Sequence, residues 1–470
     1  MATARPAPLT IPLDVSPERL APGIGSWDEP AILEGGPGFG EAGRWSVYAA
    51  RPQLVFEATG ADWTLRAGGN RLESGVGRVL QTLAALLDRF GLSDPSDRAD
   101  PGQAPFQGGL IGFFGYDLAP SLERLPRKAP RDSRLPDVRF ALYDTAVTVD
   151  HVTGAVVLIA DDFLGEGAGA VARRVGDWRS ALARPPERPA RGSRVGGSEC
   201  NFTEPGYLDA VRRALEYIAA GDVFQVNLSQ RFTATGRVDP LDLYQRLKTV
   251  SPAPFSAFLR WDDLAVVSAS PEWFTRTRGD RIVTRPIKGT RPRGPTPEAD
   301  ARLAAELSAS PKDRAELTMI VDLERNDLGR VCRYGTVRVL EPMAVETFAQ
   351  VHHLVATVEG RLRPDVGPTD VVRAVFPGGS IAGAPKIRAM EIIDELEPTR
   401  RSLYTGSIGY FSRGGSSGLN IAIRTMLVEG ERVSYQVGGG IVADSDPLTE
   451  YHETLHKGRG LREVLGGAGG

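Results

Sequence analysis

"SLYTGSIGYFSRGGSSGLNIAIRTMLVEGERVSYQVGGGIV", residues 402–442, decides the fold class. Three apolar runs follow one another: "SLYTGSIGYF" at 402–411, "LNIAIRTMLV" at 419–428 and "RVSYQVGGGIV" at 432–442. Each reads as a strand, and glycine-rich or charged turns separate them. No helical segment lies between them. Strands that do not alternate with helices disfavour a doubly wound parallel sheet. The expected class is α+β with large antiparallel sheets.

The neighbouring sequence agrees. "VFQVNLSQRF" at 223–232 alternates like a half-buried strand, with Gln225, Asn227 and Ser229 on one side. "LAVVSASPEWF" at 264–274 is a strand that turns at Pro271. A helix opens at Thr203, a good N-cap, with Pro205 in its first turn; Tyr207, Val211, Ala214, Leu215 and Ile218 share one face, and Gly221 ends it. Further helices are expected at 314–331, 384–397 and 447–465.

Residues 1–165 form a first block, with a strand region at 108–123 and a strand pair made by "VRFALYDTAVTVDH" and "GAVVLIADDF". A helix at 169–183 leads into "RPPERPARGSRVGGSE", residues 184–199, rich in Pro, Gly, Arg and Ser and without apolar periodicity. It reads as a linker to a second domain at 200–465.

Composition limits the function classes. The chain has 470 residues, 41% hydrophobic and 24% charged, with a net charge of −3. That is an ordinary globular composition, and no overall field draws it to nucleic acid or an anionic membrane. Cys200 and Cys332 make no disulfide framework. No signal-like start or membrane-length apolar run is present, so a cytoplasmic protein is expected.

Several residues carry chemistry. Asp313 and Glu316 stand three apart in one expected helix, and Glu450 and Glu453 repeat that spacing in the last. Residues three apart share a helix face, and two such faces meeting would suit Mg²⁺. Taken alone, such pairs are common on solvated helices. The glycine loops at 377–386 and 436–445 lack the nucleotide-binding spacings. The second has successive N–H groups that suit a carboxylate. Arg424 interrupts an apolar strand and needs an anion if buried. Glu272 follows Pro271 at a turn, where shielding from water would raise its pKa and make it a general acid. Lys288 lies in "TRPIKGTRPRG", residues 284–294, a stiff basic loop bounded by Pro286 and Pro292 and opened by Gly289 and Gly294. Desolvation there would lower its pKa and leave a nucleophilic amine.

Eight segments in sequence order resemble the chorismate-utilising enzyme family: "IAAGDVFQVNLSQRF", "SASPEWF", "RPIKGTRPRG", "AELTMIVDLERNDLGRV", "FPGGSIAGAPKIRAMEIIDELEP", "IAIRT", "GGGIVADS" and "EYHETLHK". That family includes anthranilate synthase component I, aminodeoxychorismate synthase component I, and isochorismate and salicylate synthases. "PFQGGLIGFFGYDL" in the first block is similar to its N-terminal region. The resemblance implies large antiparallel sheets packed as a sandwich with helices outside. It puts magnesium on Glu316 and Glu453, with Asp313 and Glu450 as supporting acids. It assigns chorismate binding to Gly289, Thr290, Tyr404, Arg424, Gly438, Gly439, Gly440 and Lys457. Glu272 matches the general acid and His353 the active-site histidine.

Lys288 separates the branches. Anthranilate synthases usually carry "PIAGT"; the aminodeoxychorismate branch carries "PIKGT", as here. Isochorismate and salicylate synthases place a water-activating lysine where this chain has Gln225. The resemblance therefore implies that Lys288 attacks chorismate covalently, with Mg²⁺, Glu272 as acid and ammonia as second substrate, for para-aminobenzoate and folate synthesis. No amidotransferase motif is present, so ammonia is expected from a partner glutaminase subunit, and an aminodeoxychorismate lyase is expected downstream. Anthranilate synthase component I is the nearer alternative; a silent amidotransferase-binding subunit is another, opposed by the intact Glu272, Lys288, Glu316 and Glu453. Departures are Gly418 in place of an Asp, "GGG" in place of "GAG", and "AILEGGPG" at 31–38 where the tryptophan-binding segment reads "LLES".

Overall fold

The computed structural model describes residues 7–94, 102–185, 194–348 and 351–466. Two antiparallel sheets of thirteen and twelve strands dominate these residues. The first runs from Leu9–Pro12 at one edge, through Ala31–Glu34, Phe255–Trp261 and Leu264–Ser270, to Arg432–Ile441 and Gln225–Arg237. The second runs from Ile287–Pro292, through Trp273–Arg278, Ser407–Ser412 and Gly109–Phe114, to Asn70–Val76.

The inner faces meet in a core where Phe113 of the second sheet packs on Trp261 of the first, ring centres 5.9 Å apart. Helices Val79–Arg89, Pro311–Gly329 and Pro368–Val375 cover the outside of the second sheet. Helices Pro240–Val250, Ala168–Ala183 and Pro447–Val464 cover the first. This is the expected α+β sandwich with helices outside. No helix among the described residues is long and apolar enough to cross a membrane.

The two sequence blocks share both sheets. Ala31–Glu34 pairs with Phe255–Trp261, and Gly109–Phe114 with Ser407–Ser412. Residues 186–193 of the expected linker lie outside the described residues; its end, at Arg194–Val195 and Glu199–Cys200, pairs with Gln225–Arg237.

Four expectations need correction. "LNIAIRTMLV" is two strands, Ser417–Asn420 in the second sheet and Thr425–Glu429 in the first; the chain crosses between sheets at 421–424. "VRFALYDTAVTVDH" splits likewise into Val138–Tyr143 and Thr145–Asp150, with buried Asp144 at the crossing. Apolar periodicity reports burial, not which sheet a strand joins. The loop holding Lys288 is the edge strand Ile287–Pro292, paired with Val351–Arg361. The row Gln225, Asn227, Ser229 is buried rather than half-solvated. Both cysteines are free.

Candidate active site

A cleft of about 910 Å³ opens where the edge strand Ile287–Pro292, the first turns of Pro311–Gly329, the end of Arg432–Ile441 and the last helix come together. Its wall includes every predicted site residue except Gly439.

Lys288 sits on this wall because its strand is bulged. The pairing with Val351–Arg361 shifts between Lys288, opposite Leu354, and Thr290, opposite His353. Gly289 absorbs the shift at φ +76°, and a Cβ there would lie 2.8 Å from both Asp313 Cγ and Leu307 Cδ1. Gly289→Ala is expected to cost about 1–3 kcal/mol in denaturant unfolding, from strain and collision together, and to lower activity. Wild-type stability and activity in that variant would show that the bulge does not hold the lysine.

Half-buried Lys288 donates from Nζ to the Ser380 carbonyl at 3.3 Å. The Ser380 hydroxyl donates to Glu272 Oε1 at 2.7 Å, so one residue ties both reactive groups. Burial pushes the Glu272 carboxyl above its ordinary pKa, although the Ser380 hydrogen bond and the Lys288 charge oppose it. Desolvation lowers Lys288, opposed by Glu316 and Glu272. The two groups are thus moved toward each other in pKa. Buried Arg401, paired with Glu397 at 2.7 Å, fixes the adjacent Ile381 carbonyl at 3.0 Å and the Asn227 carbonyl at 2.6 Å. Ser380 was missed in the sequence. It lies in a loop tested only against phosphate-binding patterns, and its carbonyl contact carries no side-chain signature.

The acids line the same cleft. Glu450 is buried, accepts from Ser445 Oγ at 2.6 Å, and is raised by desolvation and by the charge of Glu453. Burial also pushes Glu453 up, but Lys457, 2.6 Å away, outweighs it and holds the carboxyl below its ordinary value. Asp313 pairs with Arg291 at 3.2 Å. Glu316, half-buried, has no ion pair among the described residues. Among those residues no three acids, histidines or cysteines converge into a cluster that could hold a metal. The donor chemistry nonetheless fits Mg²⁺. It takes hard oxygen ligands, is bound through one or two carboxylates and keeps several waters.

Cations complete the cleft. Arg424 stands at the sheet crossing with φ +50°, desolvated, and has no carboxylate partner among the described residues. It is not inside a strand, as its sequence context implied. Lys457 also donates to the Gly438 carbonyl at 3.1 Å. Tyr404 is buried, its hydroxyl pushed up to about 12 by desolvation. His353 is buried, bonds Thr290 Oγ1 through Nδ1 at 2.9 Å, and is lowered by desolvation to about 4, so it is neutral near pH 7.

The glycines of 438–440 close the strand Arg432–Ile441, and the N–H groups of Asn227 and Ser229, opposite Gly440 and Gly438, turn away to the Ala382 carbonyl and to Glu397. The three glycines pair in register with Ser229, Leu228 and Asn227. Their value is the missing side chain: a Cβ on Gly438 would lie 3.0 Å from the Tyr404 hydroxyl, and one on Gly439 3.1 Å from Glu450 Oε2. A second cavity of about 100 Å³ lies beside Leu33, Pro254, Phe255 and Tyr410. Glu34 on its wall is already engaged by Tyr48, Tyr244 and Lys248.

Residues 41–463 match the family model for chorismate binding enzymes. Over 429 residues the chain is 42% identical to anthranilate synthase component 1 of Thermus thermophilus, covering 91% of this chain and 90% of that protein. Over 414 residues it is 42% identical to aminodeoxychorismate synthase component 1 of Escherichia coli, covering 88% of each. It is similar to the crystal structure of anthranilate synthase component I from Streptococcus pneumoniae TIGR4, with TM-score 0.78 and 31% identity over 90% of this chain and 92% of that one.

Proposed function

The chain belongs to the chorismate-binding enzyme family, and from that premise we propose that it joins ammonia to chorismate at ring carbon 4, as an aminodeoxychorismate synthase component 1. The observation that carries this reading is Lys288 on the cleft wall, joined through Ser380 to Glu272.

The neutral Lys288 amine forms a bond to ring carbon 2. The two conjugated ring double bonds each shift by one place, the carbon 4–oxygen bond breaks, and the hydroxyl leaves as water with the Glu272 proton. Ammonia then forms a bond to carbon 4, the shift reverses, and the carbon 2–nitrogen bond breaks to return Lys288 as a free amine. The product ammonium gives one proton back to Glu272. Two displacements of lower barrier replace one difficult one. Arg424 and Lys457 offer positive charge to the anionic substrate. Glu316 and Glu453 would hold Mg²⁺, with Glu450 and Asp313 beside them; bound there, it supplies charge neutralisation for a substrate carboxylate. Ammonia would come from a glutamine amidotransferase partner; the "component 1" names of the relatives imply a second component for those proteins.

The test is product identification from chorismate, Mg²⁺ and an ammonium salt, with and without a pyruvate-eliminating lyase. Para-aminobenzoate should form only when the lyase is added, and glutamine should not replace ammonium for the chain alone. The 42% identity to an anthranilate synthase component 1 equals that to the aminodeoxychorismate synthase and supports anthranilate synthesis as the second reading, which anthranilate formed without lyase would establish instead.

A pH profile adds a separate expectation. Adduct formation without ammonia should rise with pH as Lys288 loses its proton, below the usual lysine range. It should fall as Glu272 loses its own, above the usual carboxyl range. In Glu272→Gln the falling limb should vanish; its persistence would assign that limb to another group.

A further inference from the structure

Arg401 is 1% exposed and lies behind the cleft rather than on its wall. A guanidinium carries five N–H donors, and here each has an acceptor. Nε and Nη2 donate to the two oxygens of Glu397 at 3.0 and 2.7 Å. Nη1 donates to the Ile381 carbonyl at 3.0 Å and to Thr405 Oγ1 at 3.2 Å, and Nη2 also donates to the Asn227 carbonyl at 2.6 Å. Glu397 in turn accepts from the N–H and the hydroxyl of Ser229, both at 2.8 Å. The pair ties together the strand Gln225–Arg237 of the first sheet, the loop at 379–382 and the segment that leads into Ser407–Ser412 of the second.

The loop at 379–382 is the part with chemistry beside it. Ser380 joins Lys288 through its carbonyl and Glu272 through its hydroxyl. Of the two carbonyls that follow, Arg401 holds that of Ile381, and the Asn227 N–H holds that of Ala382 at 2.9 Å. A buried ion pair is often no more stabilising than apolar side chains of similar volume. What this pair adds is direction, because its bonds converge on fixed points of separate segments. Lysine could not do the same: it has three donors on a flexible stem.

Resting on the reaction proposed above, we infer that Arg401, held by Glu397, is a positioning residue for the catalytic pair. It fixes the backbone just after Ser380 and so sets where Glu272 and Lys288 stand relative to each other. Arg401 itself touches neither substrate nor reacting atoms. A displacement of about 1 Å at a reacting group can cost on the order of a hundredfold in rate.

The experiment is a double-mutant cycle between Arg401 and Ser380, read in kcat for the amino product with ammonium, chorismate and Mg²⁺ all saturating. Arg401→Lys keeps the charge, so the field at Glu272 is preserved while the grip on Ile381 loosens. Its kcat should fall about thirtyfold, with KM for chorismate changed less than about threefold. Ser380→Ala should lower kcat about tenfold. Arg401→Lys added to Ser380→Ala should cost at least about threefold less than it does alone, because changes acting through one shared contact do not add. A pH profile gives the second reading. The Ser380 hydroxyl holds Glu272 down against burial; Lys288, Lys457 and Glu324 are the other ionisable groups near it. Withdrawing that hydroxyl lets the carboxyl rise, so the falling limb of ammonia-free adduct formation should move to higher pH in both single variants. An arginine that only stabilises the fold would lower the melting temperature, leave the limb in place and combine additively with Ser380→Ala. Additive losses or an unmoved limb overturn the inference. So does a loss carried by chorismate KM, which would point to Tyr404, whose ring centre lies 5.5 Å from the guanidinium. If Arg401→Lys does not fold, Glu397→Met combined with Arg401→Met removes the pair without leaving a lone buried charge. Wild-type kcat and an unmoved limb in that protein overturn the inference equally. A wild-type enzyme that forms no adduct on Lys288 defeats the covalent reading by itself, and the cycle in kcat still decides the role of Arg401.

Discussion

Lys288→Arg and Lys288→Ala are both expected to lose aminodeoxychorismate formation by a factor on the order of a thousand or more, the scale on which a single nucleophile or acid–base group contributes. The arginine variant is the informative one. A lysine acting as a counter-ion tolerates Arg in part, because the charge survives. A nucleophile does not, because guanidinium stays protonated at any usable pH. The site favours the second role: Lys288 faces Glu272 through Ser380 and is lowered by desolvation, whereas Arg424 and Lys457 already supply charge. Lys288→Ala also recreates the "PIAGT" sequence of the anthranilate branch and opens space beside carbon 2, so traces of the 2-amino product are expected from it. Mass spectrometry of enzyme quenched with chorismate and Mg²⁺, without ammonia, should find a chorismate-derived adduct on the Lys288 peptide. No adduct, together with most activity kept by Lys288→Arg, would make the lysine a positioning charge.

Glu316→Gln and Glu453→Gln are expected to lower activity about a hundredfold or more, since several kcal/mol of charge stabilisation leave with the metal. Each change removes a charge and keeps the size. Glu453→Gln also frees Lys457 from its 2.6 Å partner, so excess Mg²⁺ should rescue it poorly. Binding of Mg²⁺ by calorimetry should weaken in both variants without any fall in melting temperature. Full turnover in chelator, or in both variants, would remove these carboxylates from the reaction.

What could be read in the sequence was local. Thr203 caps Glu204–Ala219 through its hydroxyl and the Gly206 N–H, as a side chain of that length must. The three-residue spacing of Asp313 and Glu316, and of Glu450 and Glu453, put each pair on one helix face, whereas the meeting of the two faces at one cleft was expected only from the family resemblance. What could not be read depended on partners far away in the chain. Nothing in "LNIAIRTMLV" says that it divides between two sheets, since both halves are equally apolar. Nothing in "PIKGT" says strand rather than loop, because the bulge at Gly289 is defined only by the opposing His353 and Leu354. Ser380 acts partly through a carbonyl that any residue owns.

The pairing of Gly109–Phe114 with Ser407–Ser412 bears on how the chain comes to be folded. The Gln107 N–H bonds Ser412 Oγ across 305 residues of sequence. Strands made early in synthesis therefore wait, edge exposed, until nearly the whole chain has left the ribosome. Such high contact order slows folding and leaves unpaired edges open to aggregation. The same braid makes the catalytic half inseparable from the rest. A fragment starting at the end of the linker would lack the neighbours of Phe255–Trp261 and Ser407–Ser412. Exchange of the N-terminal third between relatives would have to preserve two sheet seams at once.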